Sequence, residues 1–147
     1  MKKHRFASLC NASIYLGDIF KSQDGSSVGI DFASMEKGVA GHMLLRKTIK
    51  ESYLVVSGVL QIAKKVGDKF EYKNVGPGEE YFLDINTYYQ TKNISDETAT
   101  FMVKTSPAYE DVINEKDTFN DEIKLYVGKM PFETTKKRAW YNICSRN

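Results

Sequence analysis

Regularly spaced clusters of turn-forming residues divide this chain into strand-length pieces, and they constrain its fold more than any other feature. Glycine, proline, serine and aspartate gather at residues 22–27, 38–41, 64–68, 76–78 and 95–97. The segments between the clusters are rich in β-branched and aromatic residues, which favour strands. Short strand-like segments bounded by turn signals roughly every eight to twelve residues indicate an all-β sandwich or barrel.

Individual segments have the alternation or the apolar content of strands. Apolar side chains alternate with small or polar ones over residues 28–33, and residues 53–62 form a mostly apolar run. The run is interrupted at Ser57 and Gly58, which predicts two strands joined by a turn. Further strands are predicted over the following segments: 70–72, 81–83, 87–91, 100–105 and 123–127.

Length and composition predict one folded domain. A chain of 147 residues matches a single domain, and a hydrophobic content of 41% is too high for a disordered chain. We assign the core of the domain to residues 28–107 and a C-terminal extension to residues 108–147. Within the extension we expect a helix or loop over 111–122, and apolar residues at 130–132 and 140–143 that pack back on the core.

Charge and cysteine content exclude several function classes. The 21 basic and 19 acidic residues leave a net charge of +2, too balanced to drive binding to nucleic acid or to a membrane surface. No apolar run predicts a signal peptide or a membrane span. Cys10 and Cys144 form no metal-binding pair, and we interpret them as idle thiols of a cytoplasmic protein. The basic run 136–138 is interpreted as a solvated tail.

Two motif-like stretches lie within the predicted core. The first begins at Gly38 and ends at Gly58, and the second runs from Gly78 to Asn93. Their spacing and turn residues resemble the two signature motifs of the cupin superfamily. The resemblance implies an all-β jelly roll, a double-stranded β-helix that closes into a barrel.

The second stretch departs from the cupin pattern at two turn positions. Asp84 and Asn86 stand where the family has a proline and a glycine. Asparagine tolerates the left-handed backbone conformation that glycine serves in such turns. We therefore expect the turn to be retained.

The metal-binding histidines of the family have no counterpart in this chain. Typical cupins hold one divalent metal with two histidines and a glutamate of the first motif and one histidine of the second. The first-motif histidines fall on one of two pairs, depending on the spacer: Leu44 and Arg46, or Leu45 and Lys47. The second-motif histidine falls on Tyr89, and only Glu51 survives. A carboxylate and a phenol beside a cationic side chain are a poor metal site, so we expect no metal and no cofactor. His42 is a nearby histidine that a bulge could turn inward as a ligand.

The remaining polar residues suggest two interpretations of the barrel interior. A buried Glu51 needs a cation or hydrogen-bond donors, and Arg46 or Lys47 is the expected partner. One interpretation is a structural ion pair that replaces the lost metal. The other is a polar pocket in which Glu51 and Tyr89 are the catalytic acid/base groups. The ligand-binding residues of that pocket would be Arg46, Lys47, Tyr53, Thr91 and Asn93.

The leading hypothesis for function is a small-molecule-binding cupin, with a metal-independent isomerase or epimerase as its enzymatic form. The resemblance implies a polar or sugar-like anionic ligand, because metal-free sugar-nucleotide epimerases and isomerases of this fold use tyrosine and charged side chains. Their histidine base has no clear counterpart in this chain. We expect a homodimer, since cupins commonly pair through sheet edges and thereby cover unpaired strands.

The alternative is a non-catalytic interaction module. Residues 78–99 also resemble the cupin of centromere protein C, a family with aromatic residues at the second-motif histidine and a dimerisation role without metal. The barrel interior separates the two hypotheses. Convergence of Glu51 and Tyr89 with Arg46 or Lys47 on an open cavity favours the first. A lumen filled by Tyr53, Val55, Phe101 and Val103 favours the second.

Overall fold

The computed structural model describes residues 2–4, 13–108 and 122–135 of the chain. Several sequence-based interpretations therefore fall outside the described residues. They concern Cys10, Cys144, the basic run 136–138, residues 111–121 and residues 140–143. No helix within the described ranges is long and apolar enough to cross a membrane.

Strands dominate the described part of the chain. In chain order they are β1 (Lys2–His4), β2 (Ser13–Lys21), β3 (Ser27–Met35), β4 (Leu44–Arg46), β5 (Lys50–Ser57), β6 (Leu60–Val66), β7 (Lys69–Val75), β8 (Glu80–Leu83), β9 (Tyr89–Asn93), β10 (Ala99–Ser106) and β11 (Ile123–Leu125). All of the predicted strand segments correspond to observed strands. The sequence analysis placed no strand before residue 28, and it therefore missed β1 and β2. The β2 strand pairs with β3 through a register shift after Leu16.

Two antiparallel sheets enclose the core. One sheet has the strand order β1-β2-β3-β10-β5-β8, and the other has the order β11-β4-β9-β6-β7. Buried side chains from both sheets form one cluster, to which Met35 and Phe101 contribute from the first sheet and Leu60 and Ile62 from the second. The prediction of an all-β jelly roll is confirmed.

The turn before β9 has the backbone conformation expected from the sequence. Asn86 adopts a φ of 57°, and it is the non-glycine residue with positive φ among those described. Its amide donates a hydrogen bond to the carbonyl of Arg46 at 2.7 Å. The left-handed conformation therefore fixes the position of β9 next to β4, where the candidate site lies.

The β3 strand reverses the usual arrangement of a half-buried strand, in which apolar side chains point toward the core. Antiparallel strands usually bury their apolar set and expose their polar set. In β3, however, Asp31, Ala33 and Met35 are buried, whereas Val28 and Phe32 point away from the core. The outer side of β3 consequently carries apolar side chains.

The chain after β11 packs across the outer side of the five-stranded sheet. The side-chain amide of Gln90 donates to the carbonyl oxygens of Gly41 and Phe132, and its oxygen accepts from the Phe132 amide at 2.9 Å. The Phe132 ring packs edge-on against Tyr72. The prediction that residues 130–132 pack back on the core is confirmed.

Candidate functional site

A cavity of about 40 Å³ lies between the two sheets, and both motif stretches border it. Its polar lining consists of His42, Arg46, Glu51, Tyr53, Asp84, Tyr89 and Thr91. Its apolar lining consists mainly of Ala33, Met35, Leu44, Leu83, Phe101 and Val103. By volume the cavity has room for roughly three water molecules, so it suits a ligand of only a few non-hydrogen atoms.

A buried ion pair forms one wall of the cavity. The Nε of Arg46 on β4 donates to Oε1 of Glu51 on β5 at 2.6 Å, and both side chains are about 95% buried. Each charge would be costly to bury alone, and together they are neutral. The structure therefore identifies Arg46 rather than Lys47 as the partner of Glu51, because Lys47 is exposed.

The turn between β4 and β5 is held by a residue far away in sequence. The carboxylate of Glu122 accepts hydrogen bonds from the amides of Thr48 and Ile49, at 3.0 and 2.9 Å, and from the Thr48 hydroxyl. Its carbonyl oxygen accepts from the Lys47 amide at 2.9 Å. These hydrogen bonds from Glu122 hold the turn that joins Arg46 to Glu51. The sequence analysis missed Glu122, because no local pattern links it to the motif.

Tyr89 on β9 also borders the cavity, on the strand that pairs with β4. Its hydroxyl oxygen accepts a hydrogen bond from the Asp84 amide at 2.7 Å, a bond that does not use the phenolic proton. Its ring packs edge-on against Tyr81, with a centroid distance of 6.4 Å. Burial raises the pKa of Tyr89 above its usual value of 10.0. The phenol therefore stays protonated at neutral pH and is able to donate a hydrogen bond.

His42 also borders the cavity. It lies between Gly41, whose carbonyl accepts from Gln90, and Met43, whose carbonyl accepts from Tyr126 at 2.9 Å. Burial of the imidazole lowers the pKa of His42 below its usual value of 6.5. The ring is therefore neutral at pH 7, and a neutral imidazole is a proton acceptor.

This lowered pKa predicts a pH-dependent stability. The unfolded state binds the His42 proton more readily than the folded state, so this contribution to stability is present above about pH 6.5 and is lost as the pH falls below it. We expect the free energy of unfolding to fall less in His42→Gln than in the wild type between about pH 7.5 and 5.5. Urea unfolding at several pH values measures both slopes. Equal slopes in the two proteins would contradict the lowered pKa of His42.

The other residues predicted from the sequence are divided between the cavity and the surrounding framework. Tyr53 and Thr91 border the cavity, and the Tyr53 ring lies 5.0 Å from that of Phe101. Asn93 is fully buried and is not in the lining. Its amide nitrogen donates to the carbonyls of Met35 and Glu97 at 2.9 and 2.8 Å. The roles assigned to these side chains stay predictions.

The positions equivalent to the cupin metal ligands all lie at the cavity. Leu44 and Arg46 border it, which selects the longer motif spacer, and Glu51 and Tyr89 complete the set. These side chains do not fit a divalent cation, because Leu44 offers no donor and Glu51 is already paired with a guanidinium. Within the described ranges, no three His, Cys, Asp or Glu side chains group in a way that could hold a metal ion.

The electrostatic character of the cavity follows from these contacts. Arg46 and Glu51 cancel, Tyr89 is protonated, and His42 is neutral at pH 7. The exposed Asp84 adds a negative charge at the rim. The interior is therefore polar but close to uncharged.

Solved structures match this chain by fold, whereas no protein-family model and no curated protein matches it by sequence. KdgF from Halomonas sp. is 12% identical with a TM-score of 0.57, over 69% of this chain and 84% of that protein. The Schizosaccharomyces pombe Cnp3 cupin domain is 14% identical with a TM-score of 0.52, over 69% and 68%. A recombinant oxalate oxidase in complex with glycolate is 18% identical with a TM-score of 0.50, over 55% and 42%. Identities this low show the fold alone, and that fold is the cupin jelly roll indicated by the motifs.

Proposed function

We propose that this cupin-fold chain binds a small, uncharged, hydroxyl-bearing molecule in its barrel. The observation that supports the proposal is a cavity bordered both by the neutral Arg46–Glu51 pair and by the protonated Tyr89. A ligand hydroxyl group in this cavity could donate to Glu51 and accept from Tyr89. The apolar lining would contact the carbon atoms of the ligand.

Charge and size narrow the ligand class. An anion would find the guanidinium of Arg46 already neutralised by Glu51 and would meet Asp84 at the rim, so the cavity favours a neutral molecule over the anionic one expected from the sequence. A volume of about 40 Å³ suits a fragment of two or three carbons. A sugar-like ligand would insert only one substituent and keep its ring at the rim.

A matched pair of probes tests the ligand class. Glycolamide and glycolate have the same size and the same hydroxyl group, and they differ in charge. At roughly ten times its Kd, a ligand adds about 1.4 kcal/mol to the free energy of unfolding, which raises the Tm by a few degrees. We expect glycolamide to raise the Tm more than glycolate does. A larger rise with glycolate would show that the anionic interpretation is correct.

Tyr89→Phe tests the proposed hydrogen bond from the phenol to the ligand. Removal of one neutral hydrogen bond is expected to weaken glycolamide binding by roughly threefold to tenfold. Tyr81→Phe is the matched control, because Tyr81 packs edge-on against Tyr89 but lies outside the cavity lining. Isothermal titration or NMR titration measures the affinities. Equal affinities of the two variants would contradict the role of the Tyr89 hydroxyl.

A metal-independent isomerase or epimerase is the second candidate, and the position of His42 favours it. The sequence showed no clear counterpart of the histidine base that such enzymes use, yet a neutral His42 borders the same cavity as the protonated Tyr89. These two groups are a potential base and acid for moving a proton on a bound carbon. NMR detection of deuterium uptake into a hydroxy-ketone ligand in D₂O tests the idea. Uptake should be lost in both His42→Gln and Tyr89→Phe, and wild-type protein without uptake would exclude this candidate.

The alternative of a non-catalytic interaction module draws support from the side chains that narrow the lumen. Phe101 and Val103 border the cavity, and Val55 is buried beside them. Failure of all the small probes to bind would make this alternative the leading one. The homodimer and the cytoplasmic location expected from the sequence remain predictions.

A further inference from the structure

The outward side of the five-stranded sheet combines aromatic, amide and cationic side chains. We call it the aromatic face, and we define it by the outward side chains of β6, β7 and β9 that remain accessible and by two rings of the chain that packs across them. The strand members are Gln61, Lys65, Phe70, Tyr72, Asn74 and Lys92, and the two covering rings are Tyr126 and Phe132.

The register of the strands places a row of hydrogen-bonding groups across this face. Gln61 on β6 lies opposite Asn74 on β7 and opposite Lys92 on β9. Side chains directly opposite on neighbouring strands share a face and lie close together. Two amides and an ammonium group therefore stand side by side, and all three have donors that an anionic or carbonyl-rich ligand could accept from.

Two aromatic pairs lie next to this row. Tyr72 packs edge-on against Phe132 with a centroid distance of 5.9 Å, and Phe70 packs edge-on against Tyr126 at 6.2 Å. Tyr72 is 52% exposed, and the Nζ of Lys92 lies 5.9 Å from the centroid of the Phe132 ring. The contacts hold the rings in place, and they leave aromatic surface accessible beside a cation.

The charge of this face is one-sided, although that of the whole chain is nearly balanced. The outward side chains of β6, β7 and β9 include Lys65 and Lys92 and no carboxylate. Glu71 of β7 lies on the other side of its strand, where it pairs with Lys64 at 3.9 Å. Glu133, which is exposed next to Phe132, is a carboxylate at the border. The face itself therefore attracts anions.

We propose that the aromatic face binds single-stranded nucleic acid. Proteins bind single strands by placing cations near the phosphates and by stacking the bases on aromatic rings. Lys65 and Lys92 would contact phosphates here, and the rings of Tyr72 and Phe132 would contact bases. A duplex keeps its bases stacked on one another, so it could not use the rings.

The amide row and the size of the face fit this ligand class. The side-chain amides of Gln61 and Asn74 have both a donor and an acceptor, as the edges of bases require. Three strands at the usual spacing and about seven residues along β6 and β7 give a surface of roughly 14 Å by 24 Å. This area suits the lower end of the roughly 4 to 16 nucleotides that one OB-fold binds. The proposal is independent of the cavity, which lies between the two sheets.

Fluorescence anisotropy with labelled oligonucleotides of about twelve nucleotides tests the proposal on the full chain. Oligouridylate and oligothymidylate are the two probes, and the tighter one identifies RNA or DNA as the preferred strand. We expect saturable binding at low salt and weaker binding of a duplex of the same length. The plot of log K against log salt concentration should become shallower by about 0.7 in Lys92→Gln and stay unchanged in Lys37→Gln, whose lysine lies in the turn after β3.

Tyr72→Ser tests the role of the exposed ring. Loss of one stacked base is expected to raise the Kd of the preferred probe at least fivefold. Tyr72→Phe keeps the ring and should keep the affinity within about twofold, because stacking does not need the hydroxyl. Phe82→Ser is the matched control, since Phe82 is 69% exposed but belongs to β8 of the other sheet.

Three results would overturn the proposal. They are a wild-type chain that binds neither probe at low salt, a duplex that binds as tightly as the single strands, and a Tyr72→Ser variant with the affinity of Phe82→Ser. Polyglutamate is added as a competitor, and displacement of the probe at equal charge concentration would assign the face to acidic protein segments instead. Circular dichroism checks each fold, and Tyr72→Val replaces Tyr72→Ser, with the same reading, if the serine variant fails to fold.

Discussion

Arg46→Met is expected to lower the free energy of unfolding by about 3–5 kcal/mol, because it leaves the Glu51 carboxylate buried without its cation. Glu51→Leu should cost a similar amount, since it leaves the guanidinium without its carboxylate. Both side chains are about 95% buried, so water cannot replace the missing partner. Urea unfolding of the two single variants measures the losses.

The double variant Arg46→Met/Glu51→Leu separates the cost of an unpaired charge from the value of the pair. Removal of both charges together is expected to bring the stability back to within about 2 kcal/mol of the wild type, because an apolar pair of similar volume often replaces a buried ion pair without loss. Single variants that each cost less than about 1 kcal/mol would show that the site is more hydrated than the contacts indicate. The double variant should also lose glycolamide binding while it stays folded, which separates the ligand role of the pair from its structural role.

Gly58→Ala is the second change with a large expected effect. Gly58 adopts a φ of +79°, and an added Cβ would lie 2.8 Å from both the Cα and the Cβ of Ala99, which is fully buried. Left-handed backbone costs roughly 1–2 kcal/mol for an alanine, and the contact with Ala99 adds overpacking of roughly 1–3 kcal/mol. The turn cannot easily shift, because the Gly58 amide donates to Glu97 at 3.0 Å. We therefore expect a total loss of about 3 kcal/mol or more in urea unfolding.

Gly67→Ala is the matched control for this prediction. Gly67 also has a positive φ, +60°, but a Cβ there would have no heavy atom within 4 Å. This variant should show the backbone cost alone, about 1 kcal/mol. Equal losses for the two substitutions would mean that the contact with Ala99 relaxes without cost.

Local residue preferences account for the parts of the site that the sequence predicted. Asn86 takes the left-handed conformation because its short polar side chain tolerates it, and this could be inferred from its position in the second motif. Tyr53, named from the sequence as a pocket residue, borders the cavity, and Val55, named as a lumen residue, is buried. Because a buried carboxylate needs a cation, the sequence limited the expected partner of Glu51 to Arg46 or Lys47.

The choice between those two cations required contacts between residues distant in the chain. Arg46 faces inward because Glu122 and Asn86 fix the turn and the end of β4, and no pattern near Arg46 indicates either contact. The same is true of His42, whose place at the cavity depends on the chain that packs against Gly41 and Met43.

The amino-acid sequence by itself determined where the chain turns, which segments are strands, and that the barrel would lack the histidines of a cupin metal site. These features depend on preferences of single residues and on spacing within one segment, both of which are visible along the chain. Only the tertiary structure decided the size of the cavity, its near-neutral interior and the apolar outer side of β3. Each of these depends on which side chains from separate strands meet. In β3, for example, simple alternation would have buried Phe32, but the sheet packs with Ala33 inside, because side-chain direction follows the pairing of the whole strand with its neighbours.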